Sequence, residues 1–450
     1  MATAQYDVIV LGSGPAGGHV ASRCHAAGLS VALVESDGFG GACPLRGCEP
    51  KKVLADAAET VERLHNTAGT GPAGEAHIDW PKLMAFKNTF TSTLSDRVER
   101  HYAQKGITLY KGAGRFATPN SIDVGDTRIS ASRICIATGA TPRPLTFPGS
   151  ERLSTSTEFL DLPELPKRIL FLGGGFIAFE LAHIAAAAGA QVHIVQRSSR
   201  VLRQFDPDLV ERLTTQMQRL GVELHTQAPP RSLTRNADGL LELRAGEHEE
   251  FLFTADMVVH GAGRIPDIAN LNLAAGEVQP QGNGIAVNEF LQSTSNPAVY
   301  AAGDAVGQGL PLTPVATQQA EAVATNIING NTRSMQYGVT PYALFTYPPL
   351  AAVGMTEAKA REQGLDVDVR TGDAATWSEY KRIGQSCAGY KLIVHSPDGR
   401  LLGAHVLGDR AEETINLFAL AIRANLTIHD LLSMTWAYPS FGYTLRYMLR

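Results

Sequence analysis

Short, unbroken apolar runs, each closed by a glycine-rich turn, recur along the chain. Asp7-Val8-Ile9-Val10-Leu11 has the pattern of a strand covered on both faces, as in a parallel sheet. Gly12-Ser13-Gly14-Pro15-Ala16-Gly17 follows it and opens a helix, and Val31-Ala32-Leu33-Val34 is the next strand, ending at Glu35. The pattern returns with Arg168-Ile169-Leu170-Phe171-Leu172, the turn Gly173-Gly174-Gly175-Phe176-Ile177-Ala178 and the strand Val192-His193-Ile194-Val195. The interval from Gly12 to Glu35 equals that from Gly173 to Gln196. Two more apolar strands are predicted. Ile134-Cys135-Ile136-Ala137 ends in Thr138-Gly139, and Val299-Tyr300-Ala301-Ala302-Gly303 ends in Asp304, ahead of a helix over Val315 to Ile328. Strands alternating with helices predict an α/β fold with two Rossmann-like dinucleotide-binding units.

Each glycine-rich turn carries a physical reason. The first Gly makes the turn, the second lets backbone approach a pyrophosphate, and the third lets the helix pack closely, its N-terminus facing the phosphates. Glu35 then offers a carboxylate to ribose hydroxyls. At the equivalent place the second unit has Gln196, followed by Arg197 and, on the same loop, Arg203. An acid there would repel a 2′-phosphate, whereas an amide with two arginines would hold it through charge-assisted hydrogen bonds. The second nucleotide is therefore expected to be NADPH. Two dinucleotide sites in one chain need a hydride donor and an acceptor, which makes a flavin, FAD, the expected first occupant.

The most informative stretch is Gly40-Gly41-Ala42-Cys43-Pro44-Leu45-Arg46-Gly47-Cys48-Glu49-Pro50-Lys51-Lys52. Glu49 and Pro50 suit the first turn of a helix, so Cys48 is expected at a helix N-terminus, where the dipole favours a thiolate. Arg46, Lys51 and Lys52 push the same way, and the four residues between the cysteines allow a disulfide to close. Cys24, Cys135 and Cys387 lie too far apart to complete a metal-binding pattern, and no metal ligand set is expected. These three are expected to be structural.

Composition narrows the setting. The 450 residues are too many for one core, and two to four domains are expected. Net charge is −5, which gives no basic footprint for nucleic acid or an anionic membrane. No apolar run approaches the roughly 20 residues of a membrane span. Met1 to Tyr6 lack the charged and apolar regions of a signal peptide, so a cytoplasmic location is expected, where any disulfide is more often chemical than structural.

With these stretches in order, the chain resembles the class I pyridine nucleotide–disulfide oxidoreductases. The likeness runs nearly end to end. It includes the cysteine loop, both turns, Gly261-Ala262-Gly263-Arg264-Ile265-Pro266, Tyr300 to Asp304, Leu312-Thr313-Pro314-Val315-Ala316 and the stretch from Phe345 to Glu357. It implies an FAD-binding domain with a redox disulfide over 1–148, an NADP(H)-binding domain over 149–272, a return to the FAD-binding domain over 273–336, and an α+β dimerisation domain over 337–450. Implied cofactor contacts are Gly12, Gly14, Pro15, Ala16, Gly17, Glu35, Gly41, Ala42, Thr138, Gly139, Asp304 and Thr313 for the flavin side. For the nucleotide side they are Gly173, Gly174, Gly175, Phe176, Ile177, Arg197, Arg203 and Gly263. Cys48 is implied as the thiolate beside the flavin and Cys43 as the thiol that attacks substrate. Lys51 or Lys52 is implied beside the flavin, paired with Glu180, and Phe176 as an aromatic gate over the nicotinamide. A homodimer with an active site shared across its interface is also implied, acting on a small-molecule acceptor.

The chain departs from the family at its C-terminal acid–base pair. Where relatives carry His and Glu, Tyr438-Pro439-Ser440-Phe441-Gly442-Tyr443 places Tyr438 and Tyr443. Tyrosine ordinarily titrates at about 10, so it can donate a proton but is a poor base at neutral pH. Glu321 and Ser22 stand where glutathione-binding relatives carry arginines, and Glu321 is expected to repel a substrate carboxylate. The expected activity is NADPH-driven reduction, by way of flavin and the Cys43–Cys48 disulfide, of a small disulfide or a metal(loid). Flavin-level quinone reduction or transhydrogenation is a second reading, and a redox-sensing flavoprotein that binds a partner is a third.

Overall fold

A computed structural model of the protein describes residues 4–72 and 74–450. Met1, Ala2 and Thr3 of the N-terminal stretch read above lie outside the described residues. The chain forms two compact units. The first takes the residues up to Lys51 with Phe86–Pro144 and Gly263–Tyr337; the second takes Lys52–Ala85, Leu145–Ala262 and Gly338–Arg450. The architecture is α/β with a C-terminal α+β segment.

In the first unit, the strands β1 (Ala4–Leu11), β2 (Val31–Glu35) and β3 (Thr108–Lys111) are parallel neighbours. β4 (Gly114–Thr118), β5 (Ser121–Val124) and β6 (Thr127–Ile136) extend the sheet in the order β3-β2-β1-β6-β5-β4. β6 is ten residues long and its halves find different partners. Thr127 to Ser130 pair antiparallel with β5, and Ile134 to Ile136 pair in parallel with Val299–Ala301. The apolar runs that signalled these strands are buried, among them Val8, Ile9, Val10, Leu33, Ile134 and Ile136. Truncating one such side chain, Ile134→Ala, should cost about 2–5 kcal/mol through lost burial and the cavity left behind. The helix α1 (Pro15–Ala26) packs its Ala16, Val20, Ala21 and Cys24 into the same core. Because β1 and β2 run parallel, their C-terminal ends bring the Gly12–Gly17 turn and Glu35 to one edge, where such sheets bind ligands.

In the second unit, a four-stranded parallel sheet has the order Val222–His225, Gln191–Val195, Arg168–Leu172 and Met257–His260. An antiparallel sheet of Pro230–Arg235, Leu241–Ala245 and Phe251–Ala255 shares a core with it. The C-terminal part is a five-stranded antiparallel sheet faced by the helix Ala411–Arg423. Residues 52–85 group with this unit, which the sequence did not anticipate, and 263–272 group with the first, where Arg264–Pro266 pairs with Ala140–Pro142. Among the described residues no helix is long and apolar enough to cross a membrane.

Candidate active site

The helices α2 (Ala42–Arg46) and α3 (Cys48–Asn66) follow one another with only Gly47 between them. Cys43 lies in the first turn of α2 and Cys48 begins α3. Both thiols are free and hydrogen-bond to each other, and the Thr313 hydroxyl, at the start of the helix Thr313–Asn329, bonds to both. The hydrogen bond from Cys48 brings the Cys43 thiol down to about 6; burial opposes this and Thr313 assists. The same contact, reinforced by burial, pushes the Cys48 thiol far above its ordinary value. At neutral pH the pair therefore holds one proton, with the thiolate on Cys43.

The lowered pKa thus falls on Cys43 rather than on Cys48, the position that a helix N-terminus and three cations predict. The hydrogen bond between the thiols outweighs the cations. Arg46 is paired with Asp37 at 2.7 Å, and Lys52 is paired with Asp56 at 2.7 Å and lies 5.0 Å from the Phe345 ring centroid. Of the three, Lys51 is the one whose charge lowers Cys48.

Around the thiols, the first unit forms a bare main-chain cradle. Gly12 has φ +96°, and a Cβ there would stand 2.3 Å from the Ala137 carbonyl oxygen, so no other residue lets β1 turn this close to the end of β6. Gly14 caps α1 with Pro15 beginning the helix, and Ala16 and Gly17 are buried behind it. Gly41 has φ +76° and faces Gly14, with a Cβ position only 2.4 Å from the Gly14 Cα. The Thr138 hydroxyl, just beyond β6 and followed by Gly139, is buried and lacks a hydrogen-bond partner. Glu35 Oε2 accepts from the Ser13 amide at 2.9 Å and its hydroxyl at 2.6 Å, which ties the glycine turn to the end of β2. Asp304 sits in a 3-10 turn over Gly303–Val306; burial pushes its carboxyl up, and Arg264 pulls it the other way. A side-chain-free cradle at a helix N-terminus, an orphaned hydroxyl and a buried acid fit FAD. Gly12 to Gly17 would hold the pyrophosphate, Glu35 the ribose, and Asp304 and Thr138 the flavin end. Arg264, which acts on Asp304, has little in the sequence to mark it. Its only signal was a place in the stretch Gly261 to Pro266.

The second unit repeats the construction. Gly173 has φ +122°, and a Cβ there would lie 2.3 Å from the Gly261 carbonyl oxygen. Gly175 precedes the helix Phe176–Ala187, on which Phe176 is exposed and Ile177 half-buried. Gln196 donates to the Ser198 hydroxyl at 2.6 Å and so holds the loop that follows its strand. Arg197 and Arg203 are exposed, and among the described residues neither has a carboxylate partner. Gly263 lies in the first unit, where its carbonyl accepts from the Arg143 amide at 3.0 Å.

In the C-terminal segment the Tyr438 and Tyr443 rings meet edge to face, with centroids 4.8 Å apart, and Tyr438 is 69 % exposed. Beside them a groove of about 440 Å³ is lined by Trp377, Ser378, Glu379, Tyr438, Tyr447 and Arg450. Glu180 is buried, and its Oε1 accepts from the Phe345 amide at 2.8 Å. Glu321 differs from expectation. It bonds His19 at 2.8 Å and lies 3.2 Å from both Arg23 and Arg333, so its charge is compensated and the expected repulsion of a substrate carboxylate does not follow.

The family model for pyridine nucleotide-disulphide oxidoreductases matches residues 6–320, and the model for that family's dimerisation domain matches residues 340–448. The chain belongs to this family. It is 32% identical over 447 residues to the glutathione reductase of Burkholderia cepacia, covering 97% of each chain. It is 30% identical over 433 residues to the mercuric reductase of Bacillus cereus, covering 95% of this chain and 68% of that one. Among solved structures it is similar to the Cu(II) complex of the HOCl-induced flavoprotein disulfide reductase RclA from Escherichia coli, with a TM-score of 0.90 and 27% identity over 100% of this chain and 99% of that one. The protein is an oxidoreductase of the flavoprotein disulfide reductase type, using FAD and a pyridine nucleotide, and it carries a dimerisation domain.

Proposed function

We propose that the protein is a cytoplasmic homodimer that uses NADPH to reduce a small disulfide or metal(loid) acceptor through the Cys43–Cys48 pair. The observation that carries this reading is the one-proton dithiol, held by Thr313 beside the glycine cradle. Bound FAD would supply the relay that carries electrons from the nicotinamide to the Cys43–Cys48 disulfide, reducing it to the dithiol. The chain's own residues then do the rest. The Cys43 thiolate attacks one sulfur of a substrate disulfide, forming a mixed disulfide and releasing the other half as a thiolate. Cys48 gives up its proton and attacks the Cys43 sulfur, which closes the Cys43–Cys48 disulfide and releases the second half. We assign Tyr438, reaching across the dimer interface, as the proton donor for a leaving thiolate, with the Tyr443 ring edge to face against it. With Cys43 already ionised near neutral pH, the missing histidine base is less of a loss than the sequence implies.

Arg197 and Arg203 select NADPH by meeting its 2′-phosphate, with Phe176 over the nicotinamide. Because its charge acts on Cys48, Lys51 is the lysine we assign to the flavin. Compensation of Glu321 by two arginines and a histidine keeps the disulfides of acidic thiols, glutathione disulfide among them, within the acceptor class.

The test is anaerobic NADPH oxidation with small disulfides, metal ions and quinones, on the unmodified protein and on Cys43→Ser. Loss of disulfide or metal reduction with retained dye reduction supports the dithiol route. Unchanged turnover in Cys43→Ser, with quinones the best acceptors, would favour flavin-level quinone reduction instead.

A further inference from the structure

The second unit holds a three-residue cluster that the proposed reaction does not use. His193 stands on the strand Gln191–Val195, and Glu223 and His225 on its parallel neighbour Val222–His225, the outer strand of that sheet. Glu223 is in register with His193, and His225 lies two residues on, so strand alternation puts all three side chains on one face. The opposite face carries Val192, Ile194, Val222 and Leu224 into the core. His193 Nδ1 and His225 Nε2 are 3.3 Å apart, and Glu223 Oε2 is 3.5 Å from the first and 3.6 Å from the second. The last two separations are too long for good hydrogen bonds, so hydrogen bonding does not account for the convergence.

The spacing suits an ion at the centre of the three atoms. A point equidistant from the three atoms is about 2.0 Å from each, given their separations, and about 2.0–2.2 Å is the length of a zinc bond to imidazole or carboxylate. Phe253 walls the site, its ring centroid 4.7 Å from that of His225 and 5.8 Å from that of His193, and so limits how the imidazoles can turn. Glu223 is 58 % exposed, which leaves an approach from solvent and a fourth position for water. We propose that His193, Glu223 and His225 form a binding site for a divalent transition metal of borderline softness, such as Zn²⁺, separate from the cysteine pair. The site lies at the base of the nucleotide loop, since His193 is three residues before Gln196 and the Gln196 amide bonds the His225 carbonyl at 2.8 Å. Sequence spacing hid it because one ligand comes from the neighbouring strand.

The probe is ZnCl₂ titrated into the FAD-loaded full chain, in a Cys43→Ser/Cys48→Ser background that leaves only the buried thiols Cys24, Cys135 and Cys387, with a chromophoric chelator reporting free metal. One equivalent bound per chain at micromolar affinity or tighter is expected. His225→Gln should weaken binding at least tenfold, as should Glu223→Gln at its exposed position, and Co²⁺ should give visible absorbance without a sulfur charge-transfer band. If His225→Gln fails to fold, Glu223→Gln alone decides. No binding in the double-serine background, or binding unchanged by Glu223→Gln, would overturn the assignment.

Discussion

The Cys48 thiol donates a hydrogen bond to the Cys43 sulfur, and this contact is the largest single influence on the Cys43 ionisation. It converts two ordinary thiols into a pair that loses its first proton at about pH 6 and keeps its second through neutrality. Ionisation of Cys43 is complete well above pH 6 and is lost as pH falls through that value.

In the reduced protein, iodoacetamide should therefore label Cys43 first, with a rate that rises through a midpoint near pH 6. Cys48→Ala removes the donor, so the midpoint should move toward the ordinary thiol range of about 8–9. Peptide mapping after limited alkylation checks both statements. Preferential labelling of Cys48 at pH 7 would show that the proton sits the other way round.

Nucleotide choice should follow Arg197 and Arg203. Each charge-assisted contact to the 2′-phosphate is worth about 1.5–3 kcal/mol, so Arg197→Ala/Arg203→Ala should reduce the preference for NADPH over NADH by roughly 100-fold or more. Both arginines are exposed, so stability should be nearly unchanged. The ratio of kcat/KM values for the two nucleotides reads this directly, and equal use of both by the unmodified protein would refute it.

Much of this was legible beforehand. The apolar runs at Val8–Leu11 and Ile169–Leu172 are buried on both faces, a condition that continuous hydrophobicity records, and the glycine turns sit where close backbone approach forbids a Cβ. What stayed hidden depends on contacts between distant residues. The Arg46–Asp37 pair removes a cation from the thiols, and Glu321 gathers His19, Arg23 and Arg333 from other turns and segments. The grouping of residues 52–85 with the second unit likewise has no local signature.

The flavin cradle should depend on the Gly41–Gly14 approach. Gly41→Val adds a side chain at φ +76°, where its Cβ position is 2.4 Å from the Gly14 Cα. Purified Gly41→Val should carry little FAD and melt at lower temperature, whereas Gly28→Ala, with nothing within 4 Å, should retain its flavin. The 450 nm absorbance relative to protein measures the occupancy.

Restoring the family acid–base pair tests the tyrosines. Tyr438→His with Tyr443→Glu should raise reduction of small disulfides by roughly 100-fold, the lower end of the usual range for general acid–base catalysis, and leave flavin reduction by NADPH unchanged. A slower double variant would place the acid–base group elsewhere.

The central claim is that electrons pass from the pyridine nucleotide through flavin into the Cys43–Cys48 pair. Anaerobic titration of the oxidised protein with NADPH, with thiols counted after denaturation, tests it most directly. Five cysteines are present, and with two of them joined three should titrate. The first equivalent of NADPH should raise the count to five while the flavin absorbance stays largely oxidised. A flavin that bleaches with the first equivalent while the count remains at three would contradict the account.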